Sequence, residues 1–247
     1  MSQEVRVAVF RPADERLADA VELLESLGAT PVADPMLAVE PTGNRPEEAS
    51  YVVLTSKTGA ELLAEAGWTP GEATLVCIGP TTADAARTAG WHVDRVPAEY
   101  SSAGLVDLLR DEVSGERVAV ARSDHGSDVL LDGLRAAGAE VHETVLYRLV
   151  RPEGAGASTE MAAGGELEGV CFSSSLTVEN FLSAAAERGV REAAVAGLND
   201  AVVGAIGEPT RETAAANGID VDVVPDRAAF DALVCLVVER AAPTYHD

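Results

Sequence analysis

The residues most able to do chemistry sit in short polar turns, each directly after an apolar, valine-rich run. Arg11 and Pro12 follow Val5–Phe10, and Thr55, Ser56 and Lys57 follow Tyr51–Leu54. Gly79, Pro80, Thr81 and Thr82 follow Leu75–Ile78, and Ser101 and Ser102 come shortly after Val93–Val96. Arg122, Ser123, Asp124, His125 and Gly126 follow Val118–Ala121. Ser173, Ser174 and Ser175 follow Val170–Phe172, and Gly207 and Thr210 follow Ala201–Ile206. A small hydroxyl residue or glycine at the start of a helix leaves backbone N–H groups pointing outward, and these attract anions. Several such turns around one cleft would suit a ligand carrying several carboxylates. They would also let a chain of net charge −23, with 18 basic residues against 41 acidic ones, hold a polyanion with few cations of its own.

Each turn has a plainer reading beside this one. Ser and Thr before a helix are commonly N-caps and nothing more. Arg11 and Arg122 would serve equally as ion-pair partners at helix starts. Other chemistries lack a signature. The Gly79–Thr82 turn is not GxxxxGK[ST], and no strand-to-helix turn reads GxGxxG. No GxSxG elbow, Ser–His–Asp set or close carboxylate pair is visible. The cysteines Cys77, Cys171 and Cys235 show no CxxC spacing and read as reduced thiols, and the four histidines show no metal-ligand spacing. No cofactor and no metal are therefore expected.

The elements that must hold these turns alternate. Short apolar runs, many of them continuous, come between Ala- and Leu-rich segments of helical period. Ile219–Val224 and Val141–Leu146 complete the set of strand-like runs. Continuous apolar strands alternating with helices predict α/β architecture with parallel sheets covered on both faces. The chain also repeats itself. RVAVFRP from Arg6 is similar to RVAVARS from Arg117, and VVLTSKTG from Val52 to VCFSSSLT from Val170. The segment from Cys77 to Pro97 matches that from Ala205 to Pro225, with Ile78, Gly90 and Pro97 facing Ile206, Gly218 and Pro225 at one constant offset. Two equivalent lobes follow. Tandem domains and a nested pair both fit that order.

The hydrophobic fraction is 47% of 247 residues, and aromatics make up only 4%, so Ala, Val and Leu must build the cores. No apolar run approaches the roughly 20 residues needed to span a bilayer, and the N-terminus does not read as a signal peptide. A cytoplasmic protein with no membrane partner is expected. No basic stripe is present to neutralise phosphates, so no nucleic-acid partner is expected either. Lys57 is the lone lysine. An acidic, lysine-poor surface over a well-patterned core suggests a halophilic protein, solvated in concentrated salt.

Taken together, Arg11-Pro12, LTSKTG at 54–59, IGPTTA at 78–83, the Arg122-containing turn, Tyr147-Arg148 after VHETVL, FSSS at 172–175 and IGEPT at 206–210 resemble uroporphyrinogen-III synthase, from Val5 to about Leu236. The resemblance implies two flavodoxin-like lobes in a nested arrangement with a cleft between them. Domain one would comprise 1–37 plus 150–247 and domain two 38–148, with hinge segments near 36–40 and 148–152. It implies a monomer that takes hydroxymethylbilane, expels its terminal hydroxyl as water, inverts the last pyrrole ring and closes the macrocycle, using no cofactor. Position by position, it implies Tyr147 as the acid assisting hydroxyl loss. The substrate-binding set would be Arg11, Thr55, Ser56, Lys57, Thr81, Thr82, Ser101, Arg122, Ser173, Ser175 and Thr210. The second GxxT turn departs from the pattern, because Glu208 would repel a carboxylate if it faced the cleft. A non-catalytic, two-lobed receptor for a polycarboxylate would share all these features.

Overall fold

Valine and its neighbours alternate between two apolar surfaces along the inner strands, and helices cover both surfaces. The computed structural model describes residues 4–242. In chain order the elements are β1 (Arg6–Val9), α1 (Glu15–Ser26), β2 (Thr30–Ala33), β3 (Ala38–Pro41), β4 (Tyr51–Leu54), α2 (Lys57–Glu65), β5 (Thr74–Cys77), α3 (Pro80–Thr88), α4 (Ser102–Leu109), β6 (Arg117–Ser123), α5 (Asp128–Ala136) and β7 (Glu140–Val150). Then come α6 (Ala157–Ala163), β8 (Gly169–Phe172), α7 (Ser175–Glu187), α8 (Arg191–Asn199), β9 (Val202–Ala205), α9 (Glu208–Ala216) and α10 (Phe230–Ala241).

The chain divides into two units. One joins the chain up to Ala38 with the chain from Val150 onward, and the other is Val39–Leu149. The first unit holds a four-stranded sheet in the order β2-β1-β8-β9, with every neighbouring pair parallel. The second holds a five-stranded sheet in the order β3-β7-β6-β4-β5, in which β7, β6, β4 and β5 are mutually parallel. Counting from β6 in the second unit and β1 in the first, both sheets begin 2-1-3-4, the flavodoxin-like order. In each, the strand order reverses between the first strand and the third. That reversal lies between β1 and β8 in one unit and between β6 and β4 in the other.

In the first unit, Val7 and Val9 face α1 and α10, packing with Leu24, Leu233 and Val237. The intervening Ala8 and the following Phe10 face α6 to α9. Three phenylalanines meet here. Phe10, Phe172 and Phe181 are fully buried, with ring centroids 5.0 to 5.9 Å apart. Burying a side chain of that size stabilises by about 1.5–3 kcal/mol. Helices α6 and α8 touch through Gly197, where a Cβ would lie 1.7 Å from the Ala162 carbonyl oxygen, so no other residue fits. In the second unit, Val52, Leu54, Leu75 and Cys77 face α2 and α3. Val53, Val76, Val118 and Val120 face α4 and α5.

Two strand-like runs in the sequence do not become strands. Val93–Val96 and Ile219–Val224 each touch the sheet through one bridge, Val76 with Arg95 and Gly204 with Val223. The reason is the same in both units. The Asp94 carboxylate accepts the Leu75 N–H at 2.8 Å, and the Asp222 carboxylate accepts the Val203 N–H at 2.9 Å. An acidic side chain takes the edge donor that a further strand's carbonyl would have taken. This repeats the internal symmetry of the sequence at the level of single hydrogen bonds.

Candidate functional site

Ligands of open parallel sheets bind beyond the carboxyl ends of the strands, at the point where strand order reverses. In the second unit that point is the gap between β6 and β4, and a cavity of about 190 Å³ opens there. Thr55 and Ser56 line it from β4, Arg122 and Ser123 from β6, and Tyr147 from β7.

Tyr147 is 7% exposed, and its hydroxyl donates to Ser56 Oγ at 3.1 Å. Ser56 is the N-cap of α2, and its Oγ also accepts the Gly59 N–H at 3.0 Å. One hydroxyl therefore fixes a helix start and holds a phenol at the cavity wall. Thr55 continues the sheet, its N–H and hydroxyl both directed at the Ala121 carbonyl. Lys57 lies one residue further on. It is exposed and pairs with Glu61 one turn along α2, so its charge is already matched.

Arg122 differs from the sequence expectation of a cation facing ligand. Its side chain is buried, and the guanidinium is spent on the protein. Nε donates to Glu143 at 2.6 Å, Nη1 to the Ser127 carbonyl at 2.6 Å and Nη2 to Asp128 at 3.4 Å. A buried cation requires such partners, because an unpaired one costs several kcal/mol. Its effect is to shape the loop Ser123–Ser127. That loop passes so close that a Cβ on Gly126 would lie 2.6 Å from Arg122 Cδ.

The other turns divide into caps and buried supports. Ser101 caps α4, accepting the Gly104 N–H at 3.0 Å and donating to Glu99 at 2.7 Å. Thr81 is exposed at the start of α3, whereas Thr82 is buried. The N-cap of α3 is Gly79 and that of α9 is Gly207, and neither supplies a side-chain bond. Thr210 is buried in α9, and its N–H donates to the Gly207 carbonyl. Glu208 is exposed and paired with Arg211, an acid–base pair within one helical turn. Ser174, between the expected Ser173 and Ser175, is the actual cap of α7, in a capping box with Thr177. Ser175 lies inside the helix, donates to the Pro209 carbonyl at 3.0 Å and accepts from Thr213 at 2.8 Å, tying α7 to α9. Ser173 is half-buried just before that cap.

In the first unit, Arg11 leaves the carboxyl end of β1. Its guanidinium carbon stands 4.4 Å from the centre of the Phe230 ring. Burial lowers its pKa, with nearby Arg16 acting in the same direction and Asp14 and Asp19 opposing. A cation–π contact of this kind contributes about 0.5–2 kcal/mol and leaves the guanidinium edge available for an anion.

Two further hydroxyls line the cavity, Ser127 and Ser102, and neither belongs to the binding set expected from the sequence. Ser127 could have been found, because it precedes the apolar stripe of α5 as its N-cap. A larger hollow of about 910 Å³ opens at the amino ends of the same strands. Glu47, Glu48, Glu72, Glu116 and Glu140 surround Arg117 there, a lining that repels carboxylates, so the smaller cavity is the better candidate. No helix among the described residues is long and apolar enough to cross a membrane.

Comparison with known proteins gives a consistent result. The family model for uroporphyrinogen-III synthase HemD matches residues 18–235. A protein of Methanothermobacter thermautotrophicus, provisionally named uroporphyrinogen-III synthase, is 34% identical over 238 residues, covering 90% of this chain and 92% of its own. One of Archaeoglobus fulgidus with the same provisional name is 24% identical, covering 96% and 99%. The fold is similar to that of a mutant uroporphyrinogen III synthase of Thermus thermophilus, at a TM-score of 0.67 and 22% identity, covering 96% of this chain and 98% of that one. It is also similar to the Helicobacter pylori enzyme, at 0.63 and 13%, covering 96% and 100%. With a family match spanning most of its length and a relative aligned nearly end to end, this chain belongs to the uroporphyrinogen-III synthase family.

Proposed function

We propose that the chain carries out its family's reaction with Tyr147 as proton donor, in the cavity between the ends of β6 and β4. The substrate is hydroxymethylbilane, and the product is uroporphyrinogen III, a step of tetrapyrrole biosynthesis. The observation that carries the assignment is the Tyr147 hydroxyl, held by Ser56 at the wall of a cavity at the strand-order reversal.

The cavity is smaller than the roughly 300–1,000 Å³ that encloses a drug-sized ligand. It suits one end of the linear tetrapyrrole, the end that carries the hydroxyl. Hydroxide is a poor leaving group and departs as water when a proton is supplied. A phenol carries an O–H that it can donate. Loss of water leaves an azafulvene cation, which fixed dipoles stabilise without reorganising. The Ser56, Ser123 and Ser127 hydroxyls line the place where that charge develops.

The substrate's carboxylates would meet the helix starts. Thr55, Thr81 and Ser101 stand beside such starts in the second unit; in the first, Ser173 stands beside that of α7, and Arg11 adds a cation after β1. Arg11 is the cation best prepared for this, being stacked on Phe230. Thr82, Ser175 and Thr210 act one step back, by packing helices α3, α7 and α9. Arg122 shapes the cavity loop, and Lys57, one residue beyond Ser56, is matched by Glu61. The protein acts in the cytoplasm as a monomer.

Product analysis tests the reading. Incubation with hydroxymethylbilane should give the type III isomer. Only the unrearranged type I isomer, formed at the spontaneous rate, would reduce the protein to a binder of polycarboxylates.

A further inference from the structure

We infer that Asp124 is a positioning residue for the reaction: it holds the end of β7 so that the Tyr147 hydroxyl reaches Ser56. The inference rests on Tyr147 as the proton donor and adds the group that places it.

The register of β6 against β7 carries the argument. Arg122 lies opposite Val145, but Ser123 lies opposite Tyr147, so β7 contains one extra residue, Leu146. Side chains of consecutive strand residues point to opposite faces. Leu146 and Tyr147 instead enter the same core cluster, on the α2 and α3 side, at 2% and 7% exposure. A β-bulge of this kind re-aims a side chain at a site's edge. Without the extra residue, Tyr147 and Leu146 could not both face that cluster.

Asp124 fastens the strand just beyond this point. Its N–H donates to the Tyr147 carbonyl at 3.2 Å, and its Oδ1 accepts the Leu149 N–H at 3.0 Å. Strand β6 ends at Ser123, while β7 runs on to Val150. The Asp124 carboxylate therefore supplies the acceptor that β6 no longer provides. His125 Nδ1, 2.9 Å from the same oxygen, steadies the carboxylate.

The test is kinetic and structural together. Asp124→Ala should lower turnover at least about tenfold, the low end of what a general acid supplies, with KM within about threefold of wild type and faster hydrogen exchange at the Leu149 amide. Asp124→Asn, whose amide oxygen can accept the same N–H, should recover most of that turnover. Asp124→Ser, too short to reach Leu149, serves if the alanine variant does not fold. The double variant Asp124→Ala/Tyr147→Phe should be no slower than Tyr147→Phe alone, because both remove one function. Wild-type turnover in Asp124→Ala beside a slow Tyr147→Phe would overturn the inference, as would losses that multiply in the double variant. If Tyr147→Phe itself turns over normally, the acid assignment fails, and the placement claim is decided by a crystal structure of Asp124→Ala. A Tyr147 hydroxyl still on Ser56 there overturns it; a displaced one upholds it.

Discussion

The Tyr147 hydroxyl donates to Ser56 Oγ at 3.1 Å, while the same oxygen accepts the Gly59 N–H at 3.0 Å and so starts helix α2. A cap and a functional contact share one atom. Ser56→Ala should therefore cost about 1 kcal/mol of stability, the usual loss for a serine N-cap, and also free the phenol. Denaturant melts check the first effect, and a loss under about 0.3 kcal/mol would show that the cap is replaced.

Arg122 should register in stability before it registers in binding. Its buried guanidinium satisfies Glu143, the Ser127 carbonyl and Asp128. Arg122→Met strips the Ser127 carbonyl and the partly buried Glu143 of their donor, whereas Asp128 stays solvated, so the loss should be about 1–3 kcal/mol. Lys57→Gln removes only an exposed pair with Glu61, worth about 0–1 kcal/mol. Urea unfolding of the two variants should separate them clearly, and equal midpoints would contradict the assignment.

Much of this was legible in the sequence. Tyr51–Leu54 reads as a continuous apolar run and is β4, and Ser56 and Ser101 sit where caps belong. Other elements were hidden for physical reasons. Strands β2 and β3 contain Pro31 and Pro41, which argue against a strand. Both lie at the edge of their sheets, where proline is tolerated. Val93–Val96 has a strand's composition, but the Asp94 side chain occupies the edge. Three serines in a row cannot reveal which one caps, and Ser174 does. The Arg122–Glu143 pair joins residues on neighbouring strands, and the bulge at Tyr147 is a matter of register. Hydrophobic periodicity encodes neither.

Acid should weaken the Asp124 tie. Burial raises its pKa, but bonds from His125 and the Leu149 N–H outweigh this and leave the carboxyl below its ordinary value. A group depressed on folding stabilises above its unfolded pKa, about 3.9 for aspartate, and loses that contribution as pH falls through the folded value. The stability gap between wild type and Asp124→Asn should close as the pH falls below about 4. A gap that persists or widens below that pH would contradict the assigned shift.

Salt should stabilise the fold. Arg87, Arg110, Arg135 and Arg211 each pair with an acid three residues earlier in the helix. Screening weakens these contacts, each worth a few tenths of a kcal/mol. The surplus of 41 acidic over 18 basic residues works the other way, because its repulsion fades as the screening length falls to about 3 Å at 1 M. We expect the surplus to dominate, with the thermal midpoint and activity rising toward molar KCl. Full stability in dilute buffer would contradict this.

The most direct test of the central claim is the turnover of Tyr147→Phe with hydroxymethylbilane. Phenylalanine keeps the ring in its cluster with Leu146 and removes only the hydroxyl on Ser56. The account predicts a normally folded protein with product affinity nearly unchanged and turnover down at least about tenfold. Wild-type turnover in that variant would contradict it and leave Tyr147 as a packing residue.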